Sequence, residues 1–388
     1  MTLAGGFAVL AGLVIVLAMA GSDGKRRALF VALFGVHLAA TVAFWLFTFG
    51  QPADARRYFT QAELLPYFGI STQFIVFLTA KLRSIFAANY LDAFLFFQIP
   101  GIMGILLLYM TAARMAAEEF QVRVVFLAIF TLMPGLQFWT AAIGKDALAV
   151  LAYGMISYGL VRKPFDLRLI GPGVLLYFLV RPHVGFIIIL AMMLAFLPLL
   201  GRTGERARLM GVGALVCTVL LLPFVTLFIG LEETGVEQVT ALVERRQGIN
   251  QSDGSSIDIA QMSVPMRVIT FWFRPLFLDA QGALGLAASV ENLFLVLVFA
   301  GLMLNLKRLM RLLRLSEVLR FHAIFLVIMT LALSQLIGNL GLALRQKMML
   351  VPALFILAAA VIALSNRLRQ ERRERLRRSL EADALPAE

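Results

Sequence analysis

PGLQFWTAAIGKD, the stretch from Pro134 to Asp146, interrupts a long apolar part of the chain. One apolar segment, about 124–142, leads into it, and a second, 147–161, follows it. The adjacent Lys145 and Asp146 therefore stand where two membrane helices would meet water. Ionisable groups in such a position are costly, so we expect the pair to have a function. A simpler interpretation is that Asp146 only caps the second helix, whose dipole favours a negative charge at its start.

The composition defines the class of protein. Hydrophobic residues make up 61% of the 388 and charged residues 15%, and the mean hydropathy is +0.88. This balance excludes a soluble domain and favours a polytopic membrane protein, because apolar runs of about 20 residues cross the hydrocarbon core. The formal net charge is +12, but the cations lie mostly in short loops between apolar runs, which is typical of cytoplasmic loops rather than of nucleic-acid binding. The lone Cys217 and the lack of a Cys/His cluster exclude an internal disulfide and argue against structural zinc.

The hydropathy pattern predicts an all-α transmembrane fold with about eleven spans and short interfacial helices. The predicted spans are 3–20, 28–50, 91–112, 124–142, 147–161, two within 169–200, 209–230, 281–304, 321–338 and 347–364. Residues 1–365 would form one transmembrane domain, and residues 366–388 a basic cytoplasmic tail. The basic loops 21–27, 162–168 and 202–208 are then inside, so the N-terminus is outside and the C-terminus is cytoplasmic.

The segment 169–200 is too long for one ordinary span and contains Arg181-Pro182-His183 near its middle. Pro182 breaks a helix because it lacks a backbone donor and clashes with the preceding turn. Two helices should therefore meet at Arg181, at the outer end of both. An arginine does not stay cheaply in hydrocarbon, so we expect Arg181 to line an outward-facing cavity.

Charged side chains collect on the predicted outer face, although the positive-inside rule should deplete arginine there. They are Asp54, Arg56, Arg57, Lys145, Asp146, Arg181, His183, Arg245, Arg246, Arg274 and Arg345, several of them from the external loops 51–90 and 231–280. Several cations around one or two carboxylates suit a phosphorylated ligand, because arginine binds phosphate oxygens in pairs. A carboxylate could then deprotonate an acceptor hydroxyl. Ion pairs with glutamates of the same loops are the alternative, above all for Arg245 and Arg246.

The order of these features resembles that of the type-C-fold membrane glycosyltransferases and of the related bacterial exopolysaccharide and O-antigen polymerases. The matching positions are Asp54 in the first external loop, the turn from Pro134 to Asp146, and Arg181-Pro182. The stretches 273–292 and 345–352 also resemble parts of exopolysaccharide polymerases. Type-C enzymes often carry paired acidic residues in the first loop, whereas Asp54 stands alone between two alanines, so we expect no metal.

The resemblance implies a glycosyltransferase or repeat-unit polymerase that uses a polyprenyl-phosphate-linked sugar at the outer face of the bacterial cytoplasmic membrane. Asp54 would be the general base, and Asp146 would orient Lys145 or bind acceptor hydroxyls. The substrate would be bound by Arg56, Arg57, Tyr58, Lys145, Arg181, His183, Arg274, Glu291 and Arg345. The partners would be the lipid-linked glycan, the acceptor glycan, membrane lipids and other polysaccharide-assembly proteins, with no cofactor and no nucleic acid.

The alternative is a transporter or flippase for a lipid-linked or anionic substrate. A flippase should show inverted repeats, broken midplane helices and charged groups along a path that reaches both faces. The charged groups predicted here lie on one face, apart from Glu291 and its polar neighbour Asn292. This distribution favours the enzyme.

Overall fold

Apolar runs separated by short polar turns give helices throughout the described part of the chain, which confirms the predicted all-α class. The computed structural model describes residues 2–51, 53–115, 133–196, 205–229, 257, 259, 261–280 and 282–383. In chain order the helices are α1 (Leu3–Ala20), α2 (Gly24–Gly50), α3 (Asp54–Leu64), α4 (Thr72–Phe86), α5 (Tyr90–Met115), α6 (Pro134–Thr140), α7 (Lys145–Val161), α8 (Leu167–Val180), α9 (Pro182–Phe196), α10 (Glu205–Ile229), α11 (Val264–Phe273), α12 (Gly282–Leu304), α13 (Leu306–Leu315), α14 (Glu317–Leu336), α15 (Leu340–Lys347) and α16 (Val351–Asp383).

Six described helices are long and apolar enough to cross a membrane. They are α1, α2, α5, α14, residues 285–304 of α12 and residues 351–375 of α16. Shorter apolar helices are α8, α9, α11 and residues 211–223 of α10. These helices indicate a membrane-embedded protein, while the total of eleven spans stays a prediction. Of the predicted span 124–142, the described part forms only the short helix α6, and residues 116–132 lie outside the described ranges.

Helices α5 and α7 pack closely because glycines face each other between them. A Cβ added to Gly104 would lie 2.6 Å from the carbonyl oxygen of Val150, and one added to Gly154 would lie 2.7 Å from the carbonyl oxygen of Gly104. Small residues let membrane helices approach backbone to backbone. Gly101 meets Thr140, just before α7, whereas Gly104 meets residues within α7. The two helices therefore run in the same direction, and the start of α7 lies at the same end as the start of α5.

The predicted break at Arg181 is present. Helix α8 ends at Val180 and α9 begins at Pro182, so the described part of the segment 169–200, up to Phe196, is two helices, as the sequence predicts. Proline suits the first position of a helix, where its missing N–H would have no helical partner. Arg181 itself lies between the two helices, and its backbone N–H donates to the carbonyl of Tyr177 at 2.8 Å.

The interfacial and terminal segments are also helical where they are described. The apolar segment 64–88, predicted to hold one or two surface helices, contains α4 after the end of α3. Helix α16 runs without interruption through the predicted boundary at residue 365. Most of the predicted external loop 231–280, including Arg245 and Arg246, lies outside the described residues, and its described part forms α11.

Candidate functional site

Charged side chains from four places in the fold meet in what we call the charge cluster: Asp54, Lys145, Asp146, Arg181 and Arg345. They come from the starts of α3 and α7, the α8–α9 break and the last turn of α15. Asp146 Oδ1 accepts a hydrogen bond from Arg181 Nη2 at 2.7 Å, and Asp146 Oδ2 accepts one from Arg345 Nε at 2.7 Å. Asp54 Oδ2 accepts a hydrogen bond from Arg345 Nη1 at 2.9 Å. Arg345 thus bridges two carboxylates that are 92 positions apart in the chain.

Exposure increases across the charge cluster. The side chains of Asp146 and Arg181 are each 9% exposed, that of Arg345 is 20% exposed, and that of Asp54 is 40% exposed. Gln346 Oε1 lies 3.4 Å from Arg181 Nη1 and accepts a hydrogen bond from it on the buried side. The inner end of the cluster, which we call its floor, is the buried ion pair of Asp146 and Arg181. The outer end, which we call its mouth, is the more exposed carboxylate of Asp54.

The charges at the floor stabilise one another. Burial by itself would raise the pKa of the Asp146 carboxyl, but the guanidinium groups of Arg345 and Arg181 hold that pKa below its ordinary value. The charge of Asp146 in turn raises the pKa of Arg345. The simple capping interpretation of Asp146 does not hold, because the residue before α7 is Gly144 and no side chain makes a cap hydrogen bond there. Asp146 lies in the first turn of α7 and holds two arginines.

Lys145 is placed differently from its neighbour. Its Nζ donates to Ser71 Oγ at 3.0 Å, and no carboxylate among the described residues forms an ion pair with it. Burial, together with the nearby charge of Arg181, lowers the pKa of the Lys145 ammonium from its ordinary value to about 8. Asp146 does not orient Lys145, as one hypothesis from the sequence had it, because both of its oxygens are bound by arginines. Lys145 is thus a cation that an incoming anion could bind.

Two aromatic rings border the charge cluster. Tyr58 is 2% exposed, and burial together with the charge of Asp54 raises the pKa of its hydroxyl. Arg57 Nη2 lies 3.8 Å from Asp54 Oδ1 and reaches over the Tyr58 ring, 5.7 Å from its centroid. The guanidinium of Arg345 lies 5.5 Å from the centroid of the Trp139 ring. Trp139 was not among the predicted site residues, although it lies in the stretch that carries Lys145 and Asp146.

Other predicted site residues have local partners instead. The guanidinium of Arg56 lies over the ring of Phe49, 4.9 Å from its centroid. Arg274 Nε donates to the carboxylate of Asp279, five residues later in the chain. His183 lies half-buried in the first turn of α9, beside the break that positions Arg181. Neither Arg56 nor Arg274 has a described hydrogen bond or ion pair with the charge cluster.

A second buried polar group ties the elements of the site together. Lys347, with no exposed surface, donates from Nζ to Asn292 Oδ1 at 2.6 Å and to the carbonyl oxygen of Trp272 at 3.0 Å. Glu291, predicted as a substrate ligand, is 5% exposed and accepts a hydrogen bond from the backbone N–H of Gly135 at the start of α6. Helix α12 thus holds both α15 and α6, which carry the bridging arginine and the tryptophan of the site.

Replacing Asn292 by leucine tests this second group. The variant removes an acceptor of Lys347 and leaves a buried ammonium underbonded, so we expect a loss of about 2–4 kcal/mol in the free energy of unfolding. Adding Lys347→Met removes the charge and should recover much of that loss. Unfolding of the purified protein in detergent measures both, with Asn305→Leu, half-buried between α12 and α13, as a control expected to cost less than about 1 kcal/mol. A double variant as unstable as Asn292→Leu would contradict the role of Asn292 as the partner of Lys347.

The chemistry available to the charge cluster follows from its charges. Three cations face two carboxylates, and arginine can exchange a carboxylate for a phosphate because both offer paired oxygens to its planar fork. The described residues contain no group of three His, Cys, Asp or Glu side chains that could hold a metal ion. No known protein family, no curated protein and no solved structure matches this chain.

Proposed function

We propose that the protein is a membrane glycosyltransferase or polysaccharide repeat-unit polymerase that takes its sugar from a polyprenyl-phosphate-linked donor at the outer face of the cytoplasmic membrane. The observation that carries the proposal is the position of Arg345 between the buried Asp146 and the exposed Asp54. Lys145 lies beside them and forms no ion pair with a described carboxylate. The charge cluster thereby combines a site that can bind an anion with a carboxylate, Asp54, that can act as a general base.

The donor phosphate binds from the exposed side of the charge cluster. Arg345 and Lys145 are its ligands, because Arg181 is the less exposed of the two arginines. Asp146 acts as a positioning residue. The hydrogen bond that it accepts from Nε of Arg345 fixes the plane of the guanidinium, so that the Nη1 end points towards Asp54 and the mouth of the site.

Phosphate binding also prepares the base. Without donor, Arg345 Nη1 donates a hydrogen bond to Asp54 Oδ2 and so occupies one oxygen of the carboxylate. A phosphate that takes over Nη1 frees the Asp54 carboxylate. The carboxylate is then available to an acceptor hydroxyl while the donor is in place.

The transfer step then uses both halves of the site. Asp54 takes the proton of the acceptor hydroxyl, whose oxygen forms a bond to the anomeric carbon of the donor sugar. The bond between that carbon and the phosphate oxygen breaks, and its electron pair stays on the phosphate. Arg345 and Lys145 stabilise the charge that develops there. The products are the extended glycan, the polyprenyl (di)phosphate and a protonated Asp54, which returns its proton to water.

The pH dependence of donor binding tests the phosphate site. Lys145 loses its charge as the pH rises through about 8, whereas a phosphate monoester titrates near pH 6, below this window. We therefore expect the affinity of the purified protein for polyprenyl phosphate to fall about fivefold between pH 7 and pH 9. Lys145→Gln should bind more weakly at pH 7 and show a flat profile.

Equilibrium binding of radiolabelled polyprenyl phosphate in detergent measures this dependence. Lys81→Gln, which removes an exposed lysine on α4, is the matched control and should keep the parent profile. An unchanged pH dependence in Lys145→Gln would show that another group titrates. A protein that binds no polyprenyl phosphate at any pH would contradict the proposed function.

A further inference from the structure

Helix α13 combines cations and exposed apolar side chains in an arrangement that the proposed function does not use. It has ten residues, LKRLMRLLRL, between Asn305 and Ser316. Leu309 is buried, and Leu312 and Leu313 pack against the main core. The opposite face carries Lys307, Arg311 and Arg314, which recur at helical spacing and are all exposed. The helix is therefore amphipathic, with its charged face turned away from the protein.

The exposed cations of α13 have no acidic partners in the described part of the chain. No hydrogen bond or ion pair of the Lys307, Arg311 or Arg314 side chains occurs among the described residues, and α13 itself contains no acidic residue. The next carboxylate along the chain, Glu317, accepts a hydrogen bond from Lys163 at 3.0 Å. Among the described residues, the positive charge of this face is thus not neutralised.

Apolar side chains stand among these cations. Leu306, Met310 and Leu315 are 44%, 44% and 72% exposed. Together with the three exposed cations they line an open groove along the helix. A water-facing helix would not leave these side chains uncovered, whereas a helix at the boundary between head groups and acyl chains places both kinds of side chain favourably.

The position of α13 between two spans puts it at that boundary. Helix α12 is a candidate span that ends at Leu304, and α14 is a candidate span that begins at Glu317. Helix α13, about 15 Å long, is too short to cross the membrane itself. Consecutive spans joined by so short a connection leave and enter the membrane at the same surface, so α13 lies at that surface.

We propose that α13 is a binding site for anionic phospholipids. Lys307, Arg311 and Arg314 bind the head-group phosphates, and the apolar side chains of the groove contact the upper acyl chains. Phospholipid is the occupant that the location provides, and its negative charge complements cations that have no partner in the described chain. The site is separate from the charge cluster and does not depend on the proposed transferase activity.

The test uses the full-length protein in liposomes of equal parts phosphatidylcholine and phosphatidylglycerol. A fluorophore is attached at Met310→Cys in a Cys217→Ser background, and one lipid or the other carries brominated acyl chains that quench it. We expect brominated phosphatidylglycerol to quench with an apparent association constant about fivefold higher than brominated phosphatidylcholine. The triple variant Lys307→Gln/Arg311→Gln/Arg314→Gln should lose this preference.

Three exposed arginines of α16 provide the matched control. Arg369→Gln/Arg372→Gln/Arg373→Gln removes the same charge elsewhere and should leave the preference intact. Circular dichroism and gel filtration check that each variant is folded. Equal quenching by the two lipids in the parent protein would overturn the proposal and would leave an acidic protein segment as the partner to seek. A preference that persists in the α13 triple variant would overturn it too.

Discussion

Asp146→Ala should cost about 3–5 kcal/mol of unfolding free energy and should abolish sugar transfer. The carboxylate is the shared acceptor of Arg181 and Arg345, at 2.7 Å from each. Removing it leaves the guanidinium of Arg181, whose side chain is only 9% exposed, without a carboxylate partner among the described residues, and leaves Arg345 with Asp54 alone. Transfer fails as well, because Arg345 loses the contact that fixes its orientation.

An exposed ion pair provides the comparison for Asp146. Glu63 on α3 pairs with Arg83 on α4, and the glutamate side chain is 57% exposed. Glu63→Ala should therefore cost less than about 1 kcal/mol, because the pair is solvent-exposed and water can solvate the remaining Arg83 guanidinium. Unfolding of both variants in the same detergent measures the difference. Similar losses for the two would contradict the view that Asp146 neutralises two buried arginines.

The helix break at Arg181 could be predicted because its cause is local. An apolar segment too long for one span, with a proline near its middle, has to divide, and basic loops on both sides require two crossings. The structure places α8 and α9 on either side of that break. The all-α class follows in the same way from hydropathy. Both inferences need only the residues within one segment.

The contact between three side chains of the site, Asp54, Asp146 and Arg345, was not itself predicted. The prediction was only that they lie on the same face of the membrane. The sequence placed these side chains on one side of the membrane, and the structure brings them into hydrogen-bond contact. The pairing within the group was predicted wrongly for Asp146. Neighbouring residues on a helix point in different directions, so Asp146 reaches arginines from other helices while Lys145 reaches Ser71. Adjacency in the sequence was misleading for this reason.

Some partners give no signal in the sequence. Lys347 stands at the start of a predicted span and binds Asn292, 55 positions away, so its burial depends on how α12 packs. Arg274 shows the opposite case. A carboxylate five residues later, at Asp279, binds both its Nε and the backbone N–H of Leu276. An acidic residue that close in a turn is a signal for local pairing, and it could have removed Arg274 from the expected phosphate ligands.

Asp54→Asn is the variant with the largest expected effect on activity. Asparagine keeps the shape of the side chain and can still accept a hydrogen bond from Arg345, so the fold and the phosphate site should persist. It cannot take a proton from a hydroxyl, and we expect the transfer rate to fall on the order of 10²–10⁴-fold. Asp54→Glu, which keeps the carboxylate one methylene further out, should retain part of the activity and serves as the matched variant.

The most direct test of the proposed function is the leaflet distribution of lipid-linked sugar in cells that carry Asp54→Asn. An enzyme that works at the outer face leaves delivery across the membrane intact, so its unused donor should accumulate in the outer leaflet while polymer disappears. Accessibility of the sugar to a membrane-impermeant probe in intact cells measures this, with Asp54→Glu and the parent protein alongside. Accumulation in the inner leaflet would contradict the transferase and would identify the protein as the transporter of that lipid.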